Sequence, residues 1–218
     1  MRGSINKVKL FGEVASEPAL HFLDTVEQEN PRYEMTLRTQ EAWIGKGDDI
    51  MRTEVNEFRV QLSSEMLMDA EIAQGEYLVV EGLLCSTPWQ DEYGGNHYCQ
   101  EVIAMSIIRA KNCDVIGTRH TRASVSISGR VVNDAVVKED AKGKEIVFAT
   151  VRVQGRTRLG MIDFEQDVAV FNRLVSPARH VFTKGTWVYL DGRLHVHGVT
   201  PKGDARIQII PLWMEALR

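Results

Sequence analysis

One pattern occurs twice in this chain. Asn6-Lys7-Val8-Lys9-Leu10-Phe11-Gly12-Glu13-Val14 is echoed by Ala123-Ser124-Val125-Ser126-Ile127-Ser128-Gly129-Arg130-Val131. Farther along, the stretch from Gln74 to Leu84 is echoed by the stretch from Lys184 to Leu194, with glycines seven apart in both (Gly75 and Gly82, Gly185 and Gly192). The offset is 117 residues at the first match and 110 at the second, so the loops differ in length while the order of elements does not. Such a repeat means a duplicated domain, and any fold proposed for one copy must suit the other. A length of 218 residues accommodates two domains of about 100 each. The expected boundaries are 1–112 and 120–218, joined by a short linker.

Each copy reads as strands. Val8 and Leu10 alternate with Lys7, Lys9 and Phe11, and Phe58, Val60 and Leu62 alternate with Glu57, Arg59 and Gln61. In the second copy Val125 and Ile127 alternate with serines, and Val168 and Val170 with Asp167, Ala169 and Phe171. Period two marks strands with one row facing a core and one facing water. Glycines inside the strands, at 12, 82, 129 and 192, suggest sharp bends where a sheet curls. One short helical stretch per copy, 65–73 and 173–182, falls between the third and fourth strands, with Pro177 bending or opening the second. This order predicts an all-β chain of two tandem OB folds, five-stranded Greek-key barrels with one short helix between strands three and four.

The net charge of −4 conceals a division. Residues 1–115 hold ten Lys and Arg against twenty Asp and Glu, and residues 116–218 hold sixteen against ten. The field that attracts polyanions therefore belongs to the second half. No run of 18 apolar residues suggests a membrane span, and no apolar signal-peptide core precedes the first strand. Cys85, Cys99 and Cys113 are odd in number and lack C-x-x-C spacing, which points to reduced thiols in a cytoplasmic protein. There is no P-loop, nucleophile elbow or paired-carboxylate motif. His195 and His197 share a strand face without further ligands at metal spacing. No enzyme activity, metal or cofactor is expected.

The string Ile5-Asn6-Lys7-Val8-Lys9-Leu10-Phe11-Gly12, followed by Glu17-Pro18, resembles the opening and the acidic-Pro pair of the bacterial single-stranded DNA-binding protein family. Thr36-Leu37-Arg38-Thr39-Gln40-Glu41-Ala42-Trp43 is similar to a strand of that family ending in Trp, and Thr87 to Tyr98 to its Trp–Asp–Gly–Tyr hairpin. In the second copy Phe171-Asn172-Arg173-Leu174 with Lys184-Gly185 resembles the family's third strand, helix and turn. Two such domains per chain resemble the branch whose members pair as dimers with four barrels. The family's acidic C-terminal recruitment tip is not seen in these residues.

The resemblance implies sequence-independent binding of single-stranded DNA in replication, recombination or repair. Such binding needs aromatic platforms for bases and cations for phosphates. The stacking candidates are Trp43, Trp89 and Phe171, with Ser63 where the first copy would need a matching Phe. The phosphate candidates are Lys7, Lys9, Arg38 and Arg59 in the first copy, and Arg152, Arg156, Arg158 and Arg193 in the second. Arg156 and Arg158 are expected in a loop. Trp187 and Tyr189 suit an interface, and Trp213 suits packing. The aromatic-bearing half is thus acidic and the basic half aromatic-poor. Either the site is divided, or opposite charge holds the halves or two chains together. The alternative is an OB adaptor that contacts replication or conjugation proteins and binds DNA weakly or not at all.

Overall fold

The structure, a computed structural model, describes residues 5–21, 32–44, 51–68, 71–90, 93–94, 96–110, 121–157, 160–199 and 205–217. The chain divides into two compact units. One comprises Val8–Leu84 and Gln100–Ala123, and the other Met1–Lys7, Cys85–Cys99 and Ser124–Arg218.

The first barrel is built from β1 (Asn6–His21), β2 (Arg32–Ile44), β3 (Met51–Ser63), α1 (Ser64–Met68), β4 (Tyr77–Gln90) and β5 (Asn96–Arg109). β1 pairs antiparallel with both β2 and β4, β2 with β3, and β3 runs parallel to β5 at Val60–Val102 and Gln61–Ile103. With β5 beside β4, the circuit β1-β2-β3-β5-β4 closes on itself. Closure removes the unpaired edges that an open sheet leaves exposed.

The second barrel repeats the circuit with β6 (Arg122–Val131), β8 (Glu145–Thr157), β9 (Gly160–Val170), β11 (Ala205–Leu217) and β10 (Trp187–Val199). A 3₁₀ turn (Asn172–Leu174) and α2 (Val175–Val181) separate β9 from β10. Pro177 lies in the first turn of α2, where its missing N–H leaves no intrahelical bond unmade. Both OB barrels, each with a helix after the third strand, therefore form as expected.

The repeat carries its hydrogen bonds with it. Val14 N–H donates to Glu76 O (2.8 Å) and Gly75 N–H to Val14 O (2.9 Å). In the second barrel Val131 N–H donates to Thr186 O (2.9 Å) and Gly185 N–H to Val131 O (2.8 Å). Gly75 and Gly185 sit at φ +86° and +85°, a left-handed conformation that disfavours side chains. The in-strand glycines have another reason. A methyl group on Gly129 would stand 2.3 Å from Arg152 O, and one on Gly192 2.4 Å from Ile210 O. Gly12 and Gly82 meet the neighbouring strand in the same way, so each barrel bends where two backbones touch.

The alternating rows form the cores. Val8, Leu10, Val14, Leu37, Phe58, Val60 and Leu78 are buried in the first barrel, and Val125, Ile127, Val151, Val153, Val188 and Leu190 in the second. Alternation fails near the ends of β3 and β9, where Gln61 and Ala169 are buried as well. Gln61 there accepts a hydrogen bond from Arg32, and Ala169 lies across from Phe148.

The second copy also has a strand with no expected counterpart, β7 (Val136–Glu139), paired to β8. All four residues are exposed, so no apolar alternation announced it. Its turn is held by Asp140, whose Oδ1 accepts the N–H groups of Lys142 and Lys144 (2.8 Å each), with Gly143 at φ +72°. Those two bonds hold the Asp140 carboxyl below the usual carboxylate range.

Candidate nucleic-acid interface

The outer row of the β2–β3 hairpin carries Glu34, Thr36 and Arg38 on one strand and Glu57 and Arg59 on the other. Arg38 and Glu57 are direct cross-strand partners. Arg38 donates from Nε and Nη2 to the same Glu57 oxygen, at 2.9 and 2.8 Å. Arg59 pairs diagonally with Glu34 at 3.6 Å, and Lys9 on β1 meets Glu81, its register partner on β4, at 3.0 Å. Lys7 is exposed on β1. The cations expected to hold phosphates are therefore on the outer faces, but three of the four have a carboxylate across the ladder.

The second barrel follows suit. Arg152, on the outer row of β8, donates to Asp163 at 2.7 Å, and that bond holds the Asp163 carboxyl below the usual range. Glu165 lies directly opposite Arg152, and Asp167 opposite Thr150. Arg193 is half-buried on β10 between Ser124 and Ile210. Arg156 corrects the expectation of a loop: it lies on β8, opposite Met161 of β9. The hairpin simply runs four residues farther than alternating apolar residues could indicate, since Gln154, Arg156 and Asp163 are all polar. Arg158 lies outside the described residues.

Trp43 is on β2, opposite Arg52 of β3, and Trp89 is on β4, two residues from the turn of the β4–β5 hairpin. Their side chains lie outside what is described. Phe171 is half-buried, one residue beyond β9, where its extended backbone (φ −121°, ψ 160°) leads into the 3₁₀ turn. Its alternation with Val168 and Val170 therefore ends at the strand terminus rather than continuing along a face. Asn172 next to it takes φ +57°, tolerated by Asn, and so turns the chain sharply.

Trp213 does not pack as expected. It is 60% exposed beside an exposed Leu212. The cause is a register shift: β11 places Pro211 opposite Gly192 but Trp213 opposite Asp191, and the extra residue turns the row outward. Trp187 and Tyr189 are half-buried on the outer row of β10, alternating with buried Val188 and Leu190.

The acidic partners Glu34, Glu57, Glu81 and Asp163 escaped the sequence reading. Their signal lay in register: a residue opposite or diagonal to each cation, identifiable only once strand pairing is known.

Residues 5–109 match the family model described as the single-strand binding protein family. A single-stranded DNA-binding protein of Rhizobium meliloti is 28% identical over 106 residues, 47% of this chain and 59% of that protein. The alignment thus spans less than two thirds of that relative. The corresponding protein of Rickettsia prowazekii is 26% identical over 59% of this chain and 82% of its own. A deletion variant of the single-stranded DNA binding protein from Thermus aquaticus superposes with a TM-score of 0.78 at 18% identity, covering 100% of this chain and 97% of the other. That likeness concerns the fold, two barrels in one chain.

Proposed function

From a chain whose residues 5–109 belong to the single-strand binding protein family, we infer a protein that binds single-stranded DNA without reading its sequence. It acts by binding and not by catalysis. Bases stack on Trp43, Trp89 and Phe171, while Lys7, Lys9, Arg38, Arg59, Arg152, Arg156, Arg158 and Arg193 meet phosphates. The observation that supports this most is the placement of Arg38, Arg59 and Arg152 on outer barrel rows, half in water, where a nucleotide backbone can reach them. Base stacking contributes about 1–3 kcal/mol per base and accepts any base, which suits a protein that coats rather than reads.

The division into domains 1–112 and 120–218, residence in the cytoplasm, and service in replication, recombination or repair belong to the same proposal. So does a homodimer presenting four barrels, for which the exposed Leu212 and Trp213 on β11 offer an apolar surface. The adaptor alternative is less favoured, since the family match falls on the acidic half that motivated it.

Titration with oligo-dT, followed by intrinsic tryptophan fluorescence at two salt concentrations, tests the reading. Strong quenching that saturates at a finite site size, with weaker binding at higher salt, is expected. Absence of quenching and of any oligonucleotide co-migration would refute it.

A further inference from the structure

Each barrel carries the same four-residue row across its outer face. In the first, Tyr77 on β4, Glu13 on β1, Arg38 on β2 and Glu57 on β3 are successive register partners. In the second, Trp187 on β10, Arg130 on β6, Arg152 on β8 and Glu165 on β9 are. The rows correspond position by position, because the repeat aligns Tyr77 with Trp187 and Glu13 with Arg130. Three of the four positions keep their character: an aromatic ring, an arginine and a glutamate. The remaining one reverses its charge.

That reversal decides what each row can hold. Arg38 stands between Glu13 and Glu57, so a phosphate approaching it meets a carboxylate on either side. Arg152 stands between Arg130 and Glu165 and is bonded diagonally to Asp163, so both of these carboxylates lie on the β9 side and the β6 flank is cationic. Arg130 is exposed, and its Nε donates to Gly185 O at 3.1 Å, which fixes the guanidinium at the strand edge with its terminal N–H groups still available.

A second difference, at another position, works in the same direction. In the first barrel the Tyr77 ring lies against Phe11, with centroids 6.3 Å apart. The repeat replaces Phe11 by Ser128, whose hydroxyl accepts Ile5 N–H at 2.7 Å. Trp187 accordingly has no ring contact among the described residues. Neighbouring strands are about 5 Å apart, so Trp187, Arg130 and Arg152 span about 10 Å across the sheet. A nucleotide laid across the strands would meet a ring first and two guanidinium groups after it.

We propose that Trp187, Arg130 and Arg152 form a nucleotide site on the second barrel, with the base against the indole and the phosphate on the arginines. The equivalent row of the first barrel is the weaker of the two, because Glu13 flanks Arg38 and the Tyr77 ring is already engaged by Phe11. The site rests on the single-stranded DNA reading, and it gives the basic half an aromatic platform in addition to Phe171. A phosphate held by Arg130 adds about 0.7 to the slope of log K against log salt for a single strand.

The test uses the full chain with oligo-dT, measuring that slope for wild type, Arg130→Gln and Glu13→Arg. Arg130→Gln should bind more weakly and flatten the slope by about 0.7, and Glu13→Arg should steepen it by a similar amount. The second barrel already accommodates the arrangement that Glu13→Arg creates, which makes it a tolerable change. The double variant should return toward the wild-type slope, an outcome that a merely structural role for Arg130 at the Gly185 turn would not give. If wild type fails to bind oligo-dT, the functional reading itself fails. If wild type binds and both single variants keep its slope, the row is not a nucleotide site. Unchanged slopes accompanied by altered sedimentation of Trp187→Ala would assign the row to a protein interface instead, and the proposal would be wrong.

Discussion

Removing one carboxylate should make DNA binding more sensitive to salt. Arg38 gives two N–H bonds to a single oxygen of Glu57, and the side chains are 43% and 51% exposed. When Arg38 turns to a phosphate, the strand releases about 0.7 of a condensed counterion. The abandoned Glu57 carboxylate, however, repels the phosphate and gathers screening cations, which offsets part of that release. Glu57→Gln keeps the shape and an oxygen acceptor while abolishing the charge, so nothing offsets the release. The slope of log K against log salt should therefore steepen by up to about 0.7, or about fivefold in affinity over a tenfold change in salt. The variant should bind oligo-dT more tightly than wild type at low salt and converge with it at high salt. Fluorescence titrations at four or five salt concentrations measure this directly. Since exposed ion pairs contribute about 0–1 kcal/mol, the melting temperature should barely move. A variant slope equal to that of the wild type would refute the exchange argument, because Arg38 would then be taking no part.

Other outcomes follow from packing and protonation. Gly129→Ala forces a methyl group to within 2.3 Å of Arg152 O and should cost about 1–3 kcal/mol in chemical denaturation, with Gly192→Ala behaving alike. Buried Gln166 donates to Ile207 O at 2.6 Å, and Gln166→Ala should lose about 0.5–1.5 kcal/mol because that buried hydrogen bond is no longer made. Asp140 has a folded pKa below its unfolded value of about 3.9, so its support of the β7–β8 turn is complete above that pH. The support disappears as pH falls through the folded pKa, and amide exchange at Lys142 and Lys144 should accelerate there. Asp140→Ala should show the fast exchange already at neutral pH.

The fold was legible because the repeat and the period-two rows are local signals that tertiary structure did not override. Gly12, Gly82, Gly129 and Gly192 could be read as bends, although only the strand pairing reveals the carbonyl each one touches. The strand β7 was hidden because Val136, Val137, Lys138 and Glu139 are all exposed, leaving no buried row to detect. The packing expected of Trp213 does not form because a single extra residue in β11 reverses which face it occupies, and nothing in the residue string marks that shift. The candidate cations were found, and their partners were not. A lysine or arginine on a strand is visible in sequence, whereas Glu57 or Asp163 becomes relevant only through pairing with a distant segment.

Joining two barrels in a single polypeptide has a consequence for how such a surface evolves. In an assembly of identical subunits, any replacement is imposed on every barrel at once, so a gain in one place must be tolerated everywhere. Here Glu13 and Arg130 occupy equivalent positions of the repeat yet carry opposite charges. Duplication released that position from symmetry, allowing one half to specialise while the other kept a different electrostatic character.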